Sequence, residues 1–184
     1  MNLTRVETGL SGTFLLEVPV FSDARGYFLE SYHSEKYSGL GLFEKFVQDN
    51  VSYSKKSVLR GLHYQKQHAQ GKLVSVLEGE IWDVAVDLRR SSPTFKRWVG
   101  VELSSKNRRQ LYIGPGFAHG FVVLSDAALV TYKCTDFYSP ENEHTVIWDC
   151  PDLAIDWPTR KMELSGKDAA GLSLAQLGEA ELPE

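Results

Sequence analysis

The chain has 184 residues, 42% hydrophobic and 11% aromatic, which bounds one domain with a sizeable core and favours β structure. Its 24 acidic and 20 basic side chains leave a formal charge of −4; that argues against a nucleic-acid binder, which needs a basic stripe, yet allows a locally positive pocket for an anionic ligand. No stretch approaches the ~20 apolar residues of a membrane helix, so no membrane role is expected.

Residues 13–32 read as strand-like material, TFLLEVPVF and YFLESY, broken by a turn at Ser22-Asp23-Ala24-Arg25-Gly26. Residues 34–42 are the best early helix, stopped by Gly39 and Gly41. Residues 46–50 read as a short strand or loop. The run VLRGLHYQKQHAQGKLV at 58–74 is an apolar, β-prone frame, with a strand at 73–77 and a turn at Glu78-Gly79-Glu80. From 81 to 89, Trp82, Val84, Val86 and Leu88 alternate with Asp83, Ala85, Asp87 and Arg89, which predicts a strand with one apolar face. Strands follow at 98–103 and 110–113. Residues 114–121 read as a glycine-punctuated turn leading into FVVL and, after Ser125-Asp126, into ALVTYKCTDFY. The tail at 165–177 reads as a helix. Short strands at intervals of about ten residues indicate a sandwich or barrel, and the glycines and prolines between them support a mainly β, antiparallel jelly roll with short peripheral helices. With no linker or repeat, residues 1–184 are expected to form one domain.

Two cysteines, Cys134 and Cys150, are too few for a disulfide framework and read as free buried thiols. The segment MNLTRVETGLSG has no apolar signal region. Both features point to the cytoplasm.

The chemistry concentrates at Arg60, His63 and Lys72. A base near neutral pH and two cations suit an anionic, carbonyl-bearing substrate. Cations near His63 would disfavour its protonated form and keep it a base, and Gly61 permits a close backbone approach. Tyr132 reads either as a core tyrosine or as an acid pointing into the barrel. Asp168 is explained by a capping box with Ser165; it is equally suited to bond one nitrogen of His63 and fix its tautomer. His119 is either an exposed turn histidine or a donor to a substrate oxygen. The five histidines show no H-x-H, H-E-x-x-H or C-x-x-C context, so no metal is expected.

A set of longer blocks runs along the chain: DARGYF at 23–28 with Glu30, FVQDN at 46–50, VLRGLHYQ at 58–65 and QGKLV at 70–74. DVAVDLR at 83–89, GFAHGF at 116–121, TYKCTDFYSP at 131–140, IDWP at 155–158 and a final LS-x-KD at 164–168 complete them in order. Together these blocks resemble the dTDP-4-dehydrorhamnose 3,5-epimerase family, sugar-nucleotide enzymes with a cupin-type jelly roll. The resemblance implies that His63 is the base, Asp168 its partner and Tyr132 the acid, with Lys72 and His119 near the C4 oxygen. It implies substrate contacts from Arg25, Glu30, Gln48, Asp49, Asn50, Arg60, Glu143 and Lys167, and stacking of Tyr138 on the thymine. The implied substrate is a thymidine-diphosphate 4-keto-6-deoxy sugar. The implied assembly is a homodimer whose N-terminal strands complete the partner's pocket, and no cofactor is implied. An epimerase acting at C3 or C5 alone, or a non-catalytic sugar-nucleotide-binding cupin, fits the same residues.

Overall fold

The structure is a computed structural model and describes residues 2–184. In chain order the strands are β1 (Thr4–Glu7), β2 (Thr13–Glu17), β3 (Val20–Asp23), β4 (Gly26–Leu29), β5 (Gln48–Lys55), β6 (Leu59–Gln65) and β7 (Lys72–Glu78). They continue as β8 (Glu80–Asp87), β9 (Trp98–Ser104), β10 (Arg109–Ile113), β11 (Phe117–Val123), β12 (Ala127–Cys134) and β13 (Glu143–Thr145). Three short helices, α1 (Ser34–Ser38), α2 (Gly166–Ala169) and α3 (Leu174–Leu177), lie outside the sheets.

Two antiparallel sheets, in the orders β1-β2-β10-β7-β12-β5 and β13-β6-β11-β8-β9, face each other. Val74, Val76 and Val130 of the first meet Ile81, Ala85, Leu103 and Phe121 of the second in the core between them. This is the jelly roll expected from the spacing of strands and turns. β3 and β4 pair only with each other. Cys134 and Cys150 are free and buried, as expected. Among the described residues no helix is long and apolar enough to cross a membrane.

Four local expectations are corrected. The first helix ends at Ser38 instead of running to residue 42, because the chain turns through Gly41 at φ +92°. The tail is not one helix: Leu172 forms a bridge with Val146, and at Gly171 an added Cβ would lie 2.9 Å from the Ile147 nitrogen, so the chain stays extended between α2 and α3. The turn at 114–121 is confined to 114–116, and from Phe117 the chain is a buried central strand flanked by β6 and β8. Finally, β8 buries both faces. Val84, Val86 and Leu88 pack on Ile155, Trp157 and Leu174 of the C-terminal region, while Asp83, Ala85 and Asp87 are also fully buried. The apolar phase of this strand therefore points out toward the tail, and the mixed phase points between the sheets. The strands β1 and β13, four and three residues long, carry no visible pattern and went unpredicted.

Candidate active site

The site begins with an irregularity in β6. His119 of β11 pairs with His63 and Phe121 with Arg60, so the register shifts between them. Two steps on β11 oppose three on β6, as in a bulge. Leu59, Leu62 and Tyr64 consequently share the outer core cluster, and Arg60 and His63, three residues apart, both turn toward the space between the sheets. Close contact makes this possible. Gly61 has φ +119°, and a Cβ there would lie 2.6 Å from Gly120 Cα. The expected close approach at Gly61 is present, and its partner is the backbone of β11.

His63 Nε2 lies 2.6 Å from Asp168 Oδ1. Asp168 is buried, and burial alone would raise its pKa; hydrogen bonds from His63, from the Ser165 hydroxyl at 2.7 Å and from the Gly61 N–H hold it below the usual carboxylate range. The ionised carboxylate accepts, so His63 donates from Nε2, and the lone pair of the neutral imidazole falls on Nδ1. Capping and dyad prove compatible: the Ser165 hydroxyl also accepts from the Asp168 N–H at 3.1 Å. Nδ1 is 3.9 Å from Glu143 Oε1.

His63, Gln65, Lys72, Phe117 and Glu143 line one cavity at the mouth of the sandwich. Lys72 opens β7, half-buried, and burial lowers its pKa against the opposing pull of Cys134, Glu143 and Asp83. Its Nζ sits 6.0 Å from the centre of the Tyr132 ring, so Lys72 adjoins both the cavity that His63 lines and the Tyr132 ring. Tyr132 shares the inward phase of β12 with the fully buried Val130 and Cys134. Burial raises the pKa of its phenol, which therefore remains a proton donor.

His119 is buried in β11, not exposed in a turn. Its Nε2 is 2.7 Å from Asp83 Oδ1. Burial depresses its pKa, with Lys72 and His63 adding to the effect and Asp83 opposing it. Asp83 is fully buried and is the functional candidate that sequence reading missed. Nothing in the sequence assigns the Asp83 phase of β8 to the site, because both faces of that strand are buried.

The remaining predicted residues divide. Arg60 donates to Ser54 Oγ at 2.9 Å. Gln48 bonds Asn50 Oδ1 at 3.1 Å, and Asn50 reaches Cys134 Sγ at 3.5 Å. Glu143 accepts from Tyr138 OH at 2.8 Å and from Lys167 Nζ. Burial would raise the Glu143 pKa, but these donors and His63 hold it low. Of these, Glu143 lines the cavity and ties Tyr138 and Lys167 to it, while Arg60 lies on β6 with His63, and Gln48 and Asn50 on β5 beside the Tyr132 strand. Three stand apart. Asp49 turns to the opposite face of β5 and pairs with Lys133 at 3.0 Å. Arg25, 90% exposed, pairs only with Asp23 at the tip of the β3–β4 hairpin. Glu30 pairs with Lys36 at 2.7 Å.

Jelly-roll architecture and a carboxylate-held histidine beside a half-buried lysine and a tyrosine define a cupin-type sugar-nucleotide isomerase. A family model described as dTDP-4-dehydrorhamnose 3,5-epimerase matches residues 7–176. The chain is 51% identical over 174 residues to the dTDP-4-dehydrorhamnose 3,5-epimerase of Salmonella typhimurium, covering 93% of this chain and 95% of that one. It is also similar to the crystal structure of dTDP-6-deoxy-D-glucose-3,5-epimerase from Legionella pneumophila in complex with dTDP-4-keto-L-rhamnose, with a TM-score of 0.96, 50% identity and coverage of 100% and 98%. A Bacillus anthracis 3,5-epimerase structure with TDP and PPi bound gives a TM-score of 0.91 at 46% identity, covering 94% of this chain and 99% of that chain. The chain belongs to the dTDP-4-dehydrorhamnose 3,5-epimerase family.

Proposed function

We propose that the protein inverts C3 and C5 of dTDP-4-dehydro-6-deoxy-D-glucose through an enolate, giving dTDP-4-dehydro-L-rhamnose with no cofactor. The contact of His63 with Asp168 beside Lys72 and Tyr132 carries this reading. C3 and C5 both flank the C4 ketone, which acidifies both hydrogens. His63 Nδ1 takes the proton, and the C–H electron pair moves to O4. Lys72 supplies the positive charge at O4, a role that a single preorganised donor fills with about 2.7–4 kcal/mol. His119 commits its Nε2–H to Asp83, so it reaches O4 as a donor only when protonated. Tyr132 returns a proton to C5 from the opposite face, and water serves C3. Both side chains exchange with solvent afterwards, and no electrons are gained or lost. Arg60, Gln48, Asn50, Glu143, Lys167 and Tyr138 hold the nucleotide.

The same reading makes the protein a cytoplasmic homodimer of one-domain subunits. Val51, Tyr53 and Leu77 lie exposed on the outer face of the six-stranded sheet, beside its β5 edge, and Phe21, Tyr27 and Phe28 are exposed on the hairpin. A second copy seated there removes that apolar surface from water. It also lets the hairpin deliver Arg25 and Glu30 to the neighbouring pocket, which accounts for their position away from their own.

The test is exchange in D2O. Incubation with the 4-keto sugar nucleotide should introduce deuterium at C3 and C5, and His63→Ala should slow both exchanges by about 10²–10⁴-fold. Folded protein that binds the nucleotide without exchange would instead be a binding module.

A further inference from the structure

Tyr138 is 52% exposed, in the loop joining β12 to β13. A mobile ring there would make any ligand stacking on it bear the cost of ordering the ring. The loop around this ring is held in place instead. Gln65 is buried at 5% exposure, and its side-chain amide grips the backbone on both sides of Tyr138. Nε2 donates to Phe137 O at 3.2 Å, and Oε1 accepts from Ser139 N at 2.9 Å. The amide acts as a one-residue strand partner. Nε2 also donates to His68 O at 2.6 Å, tying in the loop after β6. From the other side, Gln48 Oε1 accepts the Tyr138 N–H at 2.9 Å. Gln65 lies two residues after His63 on the same phase of β6, so one strand supports both the base and the ring.

We propose that Gln65 is a positioning residue that preorganises Tyr138 as a stacking platform and sets the distance from that platform to His63. This rests on the nucleotide-binding reading above. Gln65 need not touch the sugar. It acts through Tyr138, so its effect belongs to the nucleoside end of the ligand and not to proton transfer.

Calorimetric titration with thymidine diphosphate on wild type, Q65M, Y138A and the double variant tests this. Q65M should weaken thymidine diphosphate binding about 5- to 10-fold and raise KM for the sugar nucleotide by a similar factor, with kcat within about twofold of wild type. In the Y138A background Q65M should add nothing, as expected for two residues acting as a unit. Unchanged affinity in Q65M overturns the proposal. So does an equal loss with Tyr138 removed, or a fall in kcat at constant KM. If Q65M melts too early to assay, Q65E, which keeps an acceptor for the Ser139 N–H but gives up the donors to Phe137 O and His68 O, must show a loss that also vanishes in Y138A; a loss that persists overturns the proposal. Wild type that exchanges deuterium yet ignores these variants refutes only the role of Gln65, whereas wild type that binds no thymidine diphosphate refutes the functional reading as well.

Discussion

In the proposed mechanism Lys72 serves O4 only as a cation, and burial lowers its pKa from the ordinary lysine value of 10.5. The rate should therefore fall on the alkaline side at a pH below the normal lysine range, and Lys72→Met should be slow and lack that limb; a kcat–pH profile checks this. Asp168 titrates in the opposite direction. Its folded-state pKa lies below the unfolded value of about 3.9, so the unfolded chain binds the extra proton. The stabilisation is full above that value and disappears as pH falls through the folded pKa. Asp168→Asn should be less stable at neutral pH and should flatten the acid limb of a denaturation series below pH ~4. His63, Tyr132 and Asp168 were legible as types, but their meeting was not, because 105 positions separate His63 from Asp168. Asp83 was hidden for another reason: sequence cannot say which phase of a strand buried on both faces points at the chemistry.

The element that builds the site is the irregular β6–β11 pair. Gly120 is as constrained as Gly61, since a Cβ there would lie 2.6 Å from Arg60 O. Gly120→Ala should cost about 2 kcal/mol or more and separate Arg60 from His63, read as a lower denaturation midpoint together with lost activity. Most strands were visible because period-two alternation and glycine turns are local signals. β11 and the tail, both misread, were settled by partners distant in sequence. β11 is a strand because β6 and β8 flank it, although its start, Phe117-Ala118-His119-Gly120, resembles the end of a turn. The tail breaks between α2 and α3 because Leu172 is claimed by Val146.

At the scale of the whole molecule, the exposed Val51, Tyr53 and Leu77 beside the unpaired β5 edge are a hydrophobic face that a lone chain would leave in water. Replacing Val51 and Tyr53 together by Glu should give a particle of half the mass by sedimentation. If the proposed dimer delivers Arg25 and Glu30 to a neighbour, this variant should also lose most turnover while retaining the His63–Asp168 contact.

The split between His63 and Asp168 has a consequence for synthesis. A ribosome-bound chain can complete both sheets, yet the imidazole lacks its carboxylate until the segment around α2 has emerged and docked across the Val146–Leu172 bridge. In the proposed mechanism, reactivity toward an acidic C–H bond therefore waits for a segment made about a hundred residues after the base itself.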